Sequence, residues 1–400
     1  GVLCRFIFKT LEYEAVSFAG QRKVLSKMKF DFGMPVRIVS TPDCVRLFDG
    51  YGKLGKKCVI LTGKHLYPDS PVFADLYEGL QNCGVSYAMF AQVENNPSYE
   101  TVLKAVDFIA SEKADFVIGV GGGSSMDAAK AAALLAANPQ VRGNDIFDSS
   151  RFCHRPMPLL LIGTTAGTGS EVTAVSVLTT TSEGSVVKRS VKTPFSYADY
   201  ALCDPKYTYS LPQKFTYSTA LDSICHAVEA YTSKRAGLFE QNFALWALKT
   251  VMPALQDFSK VGSNAENRRG LYIGSLLAGL AINGAGTHMA HSMGYQLTNY
   301  LGYPHGFACA VLLPEVLRRY EQAQVILQAM GFERAEQYER FSYDLIRQTM
   351  QIPVLSEQQV VAFAHLAVKM PSLNNHVLDP LDFETCCEVY RNTWQKLSER

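Results

Sequence analysis

Residues 115–137, DFVIGVGGGSSMDAAKAAALLAA, decide the fold class of this 400-residue chain. The stretch begins with a run of apolar residues, passes through three successive glycines and ends in an alanine-rich segment. Glycines between a buried strand and a helix let backbone N–H groups approach a phosphate, and the helix N-terminus adds a partial positive charge. The stretch therefore predicts a strand, a phosphate-binding loop and a helix. The spacing is not that of the common dinucleotide fingerprint, because Ser124 stands where its last glycine would be, and a tight turn without a ligand would also fit.

A second loop of small and hydroxyl residues, TTAGTGSE at 164–171, follows an apolar strand predicted over 158–163. Its hydroxyl groups are suited to a pyrophosphate, a ribose or a nicotinamide amide. A Ser/Thr-rich turn held by its own backbone hydrogen bonds is the alternative. Two such loops, each placed directly after a buried strand, favour a bound nucleotide over two unrelated turns.

The rest of the chain divides into two halves. Strands predicted over 57–62 and 85–91 and a helix over 98–113 alternate with the elements above, which is typical of a mostly parallel sheet covered on both faces. After residue 205 the apolar residues recur at helical spacing, and helices are predicted over 212–233, 238–258, 264–282 and 357–370. We therefore predict an α/β domain over 28–204 and a helical domain over 205–400, preceded by an extension over 1–27 that carries no assigned function.

The charge and cysteine content of the chain exclude several classes. Its 38 basic and 37 acidic residues nearly cancel, which gives no reason to expect nucleic acid or an anionic membrane as a partner. No apolar run reaches the ~20 residues that a membrane-spanning helix needs. Ten scattered cysteines and no secretory signal pattern predict reduced thiols and a cytoplasmic location.

Histidines and one carboxylate are concentrated in the helical half. Asp222 and His226 are four residues apart, so they would lie on one face of a helix. His288 and His291 are three residues apart and would share a face in the same way. His305 follows at a predicted turn or helix start. A lone histidine is more often a core residue, but four within this region point to a divalent metal such as iron, zinc, cobalt or manganese. No cysteine pair has a zinc-site spacing. A metal there would polarise a carbonyl while a nicotinamide passes a hydride.

Four stretches of the chain resemble the iron-containing (group III) alcohol dehydrogenases, and the resemblance runs from about residue 28 to the C-terminus. They are GVGGGSSMDAAKA (119–131), PLLLIGTTAGTGSEVT (158–173), LDSICHAVEAY (221–231) and HMAHSMGYQLTNYLGYPHGFACAVLLP (288–314). The resemblance implies an N-terminal dinucleotide-binding α/β domain and an all-α metal-binding domain, the fold shared with dehydroquinate synthase. It also implies an NAD(P)-dependent enzyme that interconverts a small alcohol and its aldehyde, and a homodimer.

The same resemblance implies the site residues. The metal ligands would be Asp222, His226, His288 and His305, and His291 would be a non-ligand histidine that relays a proton. Iron(II) would be the metal, with zinc or another divalent ion as an alternative. The cofactor would be bound by Asn96, Pro97, Gly121, Gly122, Gly123, Ser124, Asp127, Thr164, Thr165, Thr168, Ser170, Thr173 and Lys188.

Two departures from the family pattern bear on cofactor and substrate. Gly63 stands where many NAD-preferring members have an Asp that would repel a 2′-phosphate, and Lys64 could pair with that phosphate, so we expect NADP(H) rather than NAD(H). A plain surface lysine is the alternative for Lys64. The long segment 292–304, with Tyr295, Leu297 and Thr298, is similar to the phosphonoacetaldehyde reductase branch.

Three competing functions remain open from the sequence. A sugar-phosphate cyclase of the same fold would need a carboxylate and two histidines at its metal and basic residues around a phosphate. A maleylacetate-reducing relative would need no metal. A non-catalytic binding protein would be expected to have lost a metal ligand or the glycine loop. The four-ligand pattern favours the dehydrogenase over all three.

Overall fold

The computed structural model describes residues 32–64, 66, 69–182, 185–352 and 354–398, and Met34–Arg400 form one compact unit. The predicted extension over 1–27 lies outside the described residues. The predicted boundary at residues 204–205 therefore separates two parts of a single compact unit, and it stays a prediction.

Eight β-strands are described, and six of them form one parallel sheet in the order β1-β8-β5-β4-β2-β3. The first strand, β1, lies at one edge of the sheet. From β2 the chain adds β3 on one side and then β4 on the other, so the strand order reverses next to β2. Ligands of such sheets bind at the carboxyl ends of the strands beside this reversal. The strands are β1 (Arg37–Val39), β2 (Lys57–Gly63), β3 (Ser86–Val93), β4 (Phe116–Gly121), β5 (Leu159–Gly163), β6 (Val175–Ser182), β7 (Ser185–Lys192) and β8 (Tyr200–Leu202).

Alternating side chains of the central strands enter two different cores. In β2, Val59 and Leu61 pack on one face of the sheet, whereas Cys58 and Ile60 pack on the other, and all four are fully buried. Both faces are covered because helices lie on each, which explains the nearly continuous apolar sequence of β2, β4 and β5. The helices of this half are α1 (Cys44–Leu47), α2 (Tyr51–Leu54), α3 (Pro71–Asn82), α4 (Tyr99–Glu112) and α5 (Gly123–Ala136).

The sequence did not predict the antiparallel hairpin of β6 and β7. Its strands are rich in Ser, Thr and Lys, so they lack the apolar run on which strand prediction depends. The hairpin places Lys188 opposite Thr179.

The second half is helical, as predicted, and each of the four predicted helices is confirmed with ends shifted by a few residues. No helix among the described residues is long and apolar enough to cross a membrane. The helices are α6 (Gln213–Tyr231), α7 (Leu238–Val261), α8 (Ala265–Ala285), α9 (Met289–Leu301), α10 (His305–Ala310), α11 (Leu313–Leu317), α12 (Ala323–Ala329), α13 (Ala335–Arg347), α14 (Glu357–Ala367) and α15 (Phe383–Ser398).

Candidate metal centre and cofactor loops

Helix α6 carries a buried carboxylate, Asp222, that three imidazoles surround. Its Oδ1 lies 3.5 Å from Nε2 of His291 and 3.9 Å from Nε2 of both His226 and His305. His226 follows Asp222 by one turn of α6, His291 comes from α9, and His305 is the first residue of α10. One oxygen donor and three nitrogen donors from three helices thus converge on one point.

Two atoms of this cluster lack hydrogen bonds. Within the described part of the chain, Asp222 Oδ1 and His291 Nε2 are buried and have no hydrogen-bond partner. Leaving a buried polar group unsatisfied costs about 1–3 kcal/mol, and more for a charged group. A divalent cation bound between them would satisfy both atoms, and imidazole nitrogen with carboxylate oxygen is a donor set that iron(II) and zinc accept. The residues present therefore fit a metal ion.

The electrostatics of the cluster favour an ionised Asp222. Burial alone would raise the pKa of this carboxyl, but the His226, His291 and His305 imidazoles outweigh it and hold the pKa below its ordinary value. Burial lowers the pKa of His305 to about 3, which keeps its imidazole neutral, whereas at His291 the Cys309 thiol and the Glu229 carboxylate outweigh burial and raise the pKa well above its ordinary value. Binding of a metal by His291 would therefore release a proton. A neutral imidazole and an ionised carboxylate are the protonation states that a metal ligand needs.

A second buried carboxylate, Glu229, orients His291. Glu229 Oε2 lies 2.5 Å from Nδ1 of His291, so the opposite nitrogen of that ring points at Asp222. The Glu229 carboxylate also accepts backbone N–H groups from His288, Ala290 and His291 at the start of α9. A carboxylate behind a histidine ligand fixes the tautomer and the direction of the ring. Sequence analysis missed Glu229, although its position seven residues after Asp222 puts it on the same face of α6.

The structure places His288 and His291 differently with respect to Asp222, and their roles as ligand and proton relay stay predictions. His288 is the N-cap of α9, and its Nδ1 accepts the backbone N–H of Met289 while its Nε2 lies 3.0 Å from Oγ1 of Thr232. Both of its nitrogens are therefore engaged away from Asp222. His291, predicted as a proton relay, instead lies with Nε2 3.5 Å from Asp222 Oδ1, which makes it a candidate metal ligand. Residues three apart within a helix share a face, but His288 precedes the first residue of α9 and His291 follows it. The two imidazoles therefore point in different directions.

One further donor was also missed. The thiol of Cys309, fully buried on α10, lies 3.9 Å from Nε2 of His305. Ligand atoms of Asp222, His291, His305 and Cys309 all lie within 4.8 Å of one another. The signal in the sequence was the four-residue spacing of His305 and Cys309, which our search for cysteine pairs passed over.

The two predicted cofactor loops face each other at the carboxyl ends of β4 and β5. A Cβ on Gly123 would lie 2.6 Å from Cγ2 of Thr168, and one on Gly122 would lie 3.2 Å from the side chain of Thr165. The backbone N–H of Thr164 donates to the Gly121 carbonyl. Gly121 has φ +142°, a conformation that favours glycine. The loops form one surface around the N-terminus of α5, as two phosphate-binding loops would.

Several predicted cofactor residues hold the loops together and use their polar atoms in doing so. Asp127 accepts a hydrogen bond from Ser170 Oγ at 2.6 Å and from the backbone of Val177. The buried ammonium of Lys130 lies 3.1 Å from Asp127 and donates to the Ser170 carbonyl and to Thr173 Oγ1. Asp127, Ser170 and Thr173 therefore position the second loop. Cofactor contacts by the glycines, Ser124 and the threonines 164, 165 and 168 stay a prediction.

The remaining predicted cofactor residues border the same surface. Asn96, in a left-handed turn with φ 55°, donates its backbone N–H to Ser124 Oγ at 3.1 Å, and the carbonyl of Pro97 accepts from Thr179. Gly63 ends β2 and Lys64 is exposed just beyond it.

Lys188 lies near the histidine cluster around Asp222. Its Nζ is 5.0 Å from the centre of the Tyr295 ring, which stacks on His305.

The metal cluster and the cofactor loops meet at Gly167. Its carbonyl accepts a hydrogen bond from Ser223 Oγ at 3.0 Å and lies 3.4 Å from Nδ1 of His226. One backbone carbonyl of the second loop therefore orients a metal-cluster histidine. Any group that the loops hold near Gly167 would therefore lie beside the histidine cluster around Asp222.

Comparisons with known proteins show the family and the fold of this chain. The model of the iron-containing alcohol dehydrogenase family matches residues 35–205, and its C-terminal counterpart matches 216–377. Long-chain-alcohol dehydrogenase 1 of Geobacillus thermodenitrificans is 34% identical over 68% of each chain. The structure of an iron-containing alcohol dehydrogenase of Thermotoga maritima covers 92% of this chain and all of that one, with a TM-score of 0.81 and 31% identity. A sulfoacetaldehyde reductase of Bifidobacterium kashiwanohense in complex with NAD+ covers 92% of this chain and 99% of its own, with a TM-score of 0.80 and 26% identity.

The different placement of the two histidines predicts a difference between two neighbouring variants. His291→Gln should lower metal affinity by more than about 100-fold, since even the loss of a partner behind a ligand costs 10–100-fold. His288→Gln is the matched control and should retain the metal, because His288 contacts Thr232 and Met289 rather than Asp222. Metal content of the two purified proteins after dialysis measures both. Retention by His291→Gln with loss by His288→Gln would restore the assignment made from the sequence.

Proposed function

The chain belongs to the iron-containing alcohol dehydrogenase family, and we propose that it interconverts a small primary alcohol and its aldehyde by hydride transfer with NAD(P)(H), acting as an aldehyde reductase. The observation that carries this proposal is the junction at Gly167, where the cofactor loops touch a histidine of the metal cluster. Hydride transfer needs the nicotinamide and the reacting carbonyl in contact, and this junction brings their two sites together.

The side chains divide the work of the reaction. A divalent metal, when bound, supplies a Lewis acid that polarises the carbonyl oxygen of the substrate. Asp222, His226, His291 and His305 would hold it, and Glu229 keeps the His291 ring directed at Asp222. The glycines after β4 present backbone N–H groups to the cofactor phosphates at the N-terminus of α5.

An aldehyde panel tests the function itself. Metal-reconstituted protein should oxidise NADPH in the presence of small neutral aldehydes, which lowers the absorbance of the reduced nicotinamide. The metal-free protein should not change this absorbance. Asp222→Asn is the control, since it removes the oxygen donor at nearly constant volume and should lower turnover by at least about 10²-fold. A cyclase would show no net change in the absorbance, because it regenerates its cofactor. Full turnover by metal-free protein would contradict the proposed role of the metal.

For the cofactor we propose a preference for NADP(H) over NAD(H). Gly63 carries no carboxylate to repel a 2′-phosphate at the end of β2, and the exposed Lys64 follows it directly. A Cβ on Gly63 would find its nearest atoms, Ser125 Oγ and the Val93 carbonyl oxygen, at 3.5 Å, so a side chain fits there without displacing its neighbours.

The variant Gly63→Asp should therefore fold and should weaken NADPH selectively. Repulsion of the 2′-phosphate is worth about 1–3 kcal/mol, or roughly 5- to 150-fold in the ratio of kcat/KM for NADPH to that for NADH. The isosteric Gly63→Asn, which adds volume without charge, is the control and should change the ratio much less. If Gly63→Asp changes kcat/KM for NADPH and kcat/KM for NADH by the same factor, Gly63 does not face the ribose.

Lys188 favours a second candidate, an aldehyde that carries a phosphonate or sulfonate group. Its ammonium lies 5.0 Å from the centre of the Tyr295 ring, and burial lowers its pKa even though Cys309, Asp222 and Asp127 act in the opposite direction. An anionic substrate would add a direct ion pair to this partly buried cation. The solved sulfoacetaldehyde reductase of the same family acts on such an aldehyde by its name, and segment 292–304 is similar to the phosphonoacetaldehyde branch.

Replacement of Lys188 by methionine distinguishes the two substrate classes. Hydrogen bonds to charged groups contribute about 1.5–3 kcal/mol, so kcat/KM for sulfoacetaldehyde and phosphonoacetaldehyde should fall roughly 10- to 100-fold more than that for propionaldehyde. Lys192→Met, on the same strand but bonded to the Asn283 carbonyl, is the control. An equal fall for charged and neutral aldehydes would instead assign Lys188 to the cofactor, as the sequence predicted.

A further inference from the structure

The pocket around Asp222 contains one side chain that the family ligand pattern does not use, the thiol of Cys309. It lies one helical turn after His305 on α10, and it is fully buried. Its Sγ lies 3.9 Å from Nε2 and 4.0 Å from Nδ1 of His305. The thiol therefore faces the same space as the imidazoles.

The spacing of the donor atoms is that of a metal site. Zinc–nitrogen bonds of about 2.0–2.1 Å and zinc–sulfur bonds of about 2.3 Å put the donors of a tetrahedral site roughly 3.3–3.6 Å apart. Asp222 Oδ1 lies 3.5 Å from His291 Nε2, and His305 Nε2 lies 3.9 Å from both Asp222 Oδ1 and Cys309 Sγ. The ligand atoms of all four residues lie within 4.8 Å of one another, so shifts of up to about an ångström would bring them onto one ion.

An independent observation marks this space as a binding site. Asp222 Oδ1 and His291 Nε2 are buried without hydrogen bonds among the described residues, and both are directed into it. The cluster of Asp222, His291, His305 and Cys309 is the group that satisfies metal-ligand distances within the described chain. Cys225, in contrast, is an equally buried thiol of α6 that lies outside this group.

We propose that Cys309 Sγ is a ligand of the metal centre beside Asp222, His226, His291 and His305, and that the added thiolate makes the centre select zinc over iron(II). The inference rests on the metal centre of the proposed function and adds a sulfur ligand to it. As the sulfur–metal bond forms, the thiol proton leaves to solvent. Thiolate sulfur prefers zinc and other soft or borderline ions, whereas nitrogen and oxygen donors alone discriminate less between zinc and iron(II).

The ligand shell can be measured directly on the full-length protein. In zinc-loaded protein, the extended X-ray absorption fine structure at the zinc edge should contain one sulfur at about 2.3 Å beside nitrogen and oxygen at about 2.0–2.1 Å. Cys309→Ala should lose the sulfur shell, and Cys225→Ala should keep it. Cobalt(II) gives a second readout, since the thiolate-to-metal charge-transfer band in the near ultraviolet should be present in the Cys225 variant and absent in the Cys309 variant.

Metal selection gives a third measurement. When zinc and iron(II) compete for the apoprotein without oxygen, Cys309→Ala should shift the ratio of bound zinc to bound iron by at least about tenfold toward iron, the lower limit of effects on affinity around a metal site. Metal bound by the native protein without a sulfur neighbour would overturn this inference and leave the proposed function standing. Failure of the native protein to bind any divalent metal would overturn both. The native spectrum decides the ligand even if the Cys309 variant does not fold.

Discussion

Two carboxylates removed from water on one face of α6 impose the arrangement of the whole centre. A buried charge must be paired or hydrogen-bonded, and Asp222 and Glu229 are both almost fully buried. Glu229 is neutralised by the N-terminus of α9, where the backbone N–H groups of His288, Ala290 and His291 converge on it. Burial raises the pKa of Glu229, but the His288 and His291 imidazoles lower it to about 2. Asp222, about two turns earlier on α6, has imidazoles on three sides, and a bound cation would balance its charge.

These pairings work only because helices approach each other unusually closely. A Cβ on Gly306 would lie 1.8 Å from the Ser218 carbonyl oxygen, so glycine is required for α10 to rest on α6 and for His305 to reach Asp222. The same holds where the second cofactor loop meets α8. There Gly169 has φ +59°, and an added Cβ would lie 2.5 Å from Cα of Gly279. Small residues at contacts between helices and loops thus set the distances at which the donor atoms converge.

Sequence patterns predicted the sheet, both loops and the helices because those depend on local periodicity and on glycine position. They did not anticipate that His288 precedes α9 while His291 lies beside Asp222, because Glu229, which binds the start of α9, lies about 60 residues earlier and no local pattern reveals its role. Cys309 was visible at helical spacing from His305, but only the fold brings it beside Asp222. The hairpin 175–192 was missed because its strands are rich in Ser, Thr and Lys, although Leu178 and Val191 enter the main core.

Rigidity of the second loop follows from one buried cation. Lys130 donates hydrogen bonds to carbonyl and hydroxyl groups of residues 170–175, and the Asp127 carboxylate balances its charge. Moving the loop would therefore remove the hydrogen-bond acceptors of a buried ammonium, which is costly. Gly167 lies in this loop, and its carbonyl orients Ser223 and His226. The network that shapes the cofactor surface therefore also fixes one side of the metal cluster. Because hydride transfer depends on the distance between two bound groups, a single rigid loop that borders both sites sets that distance before either group binds.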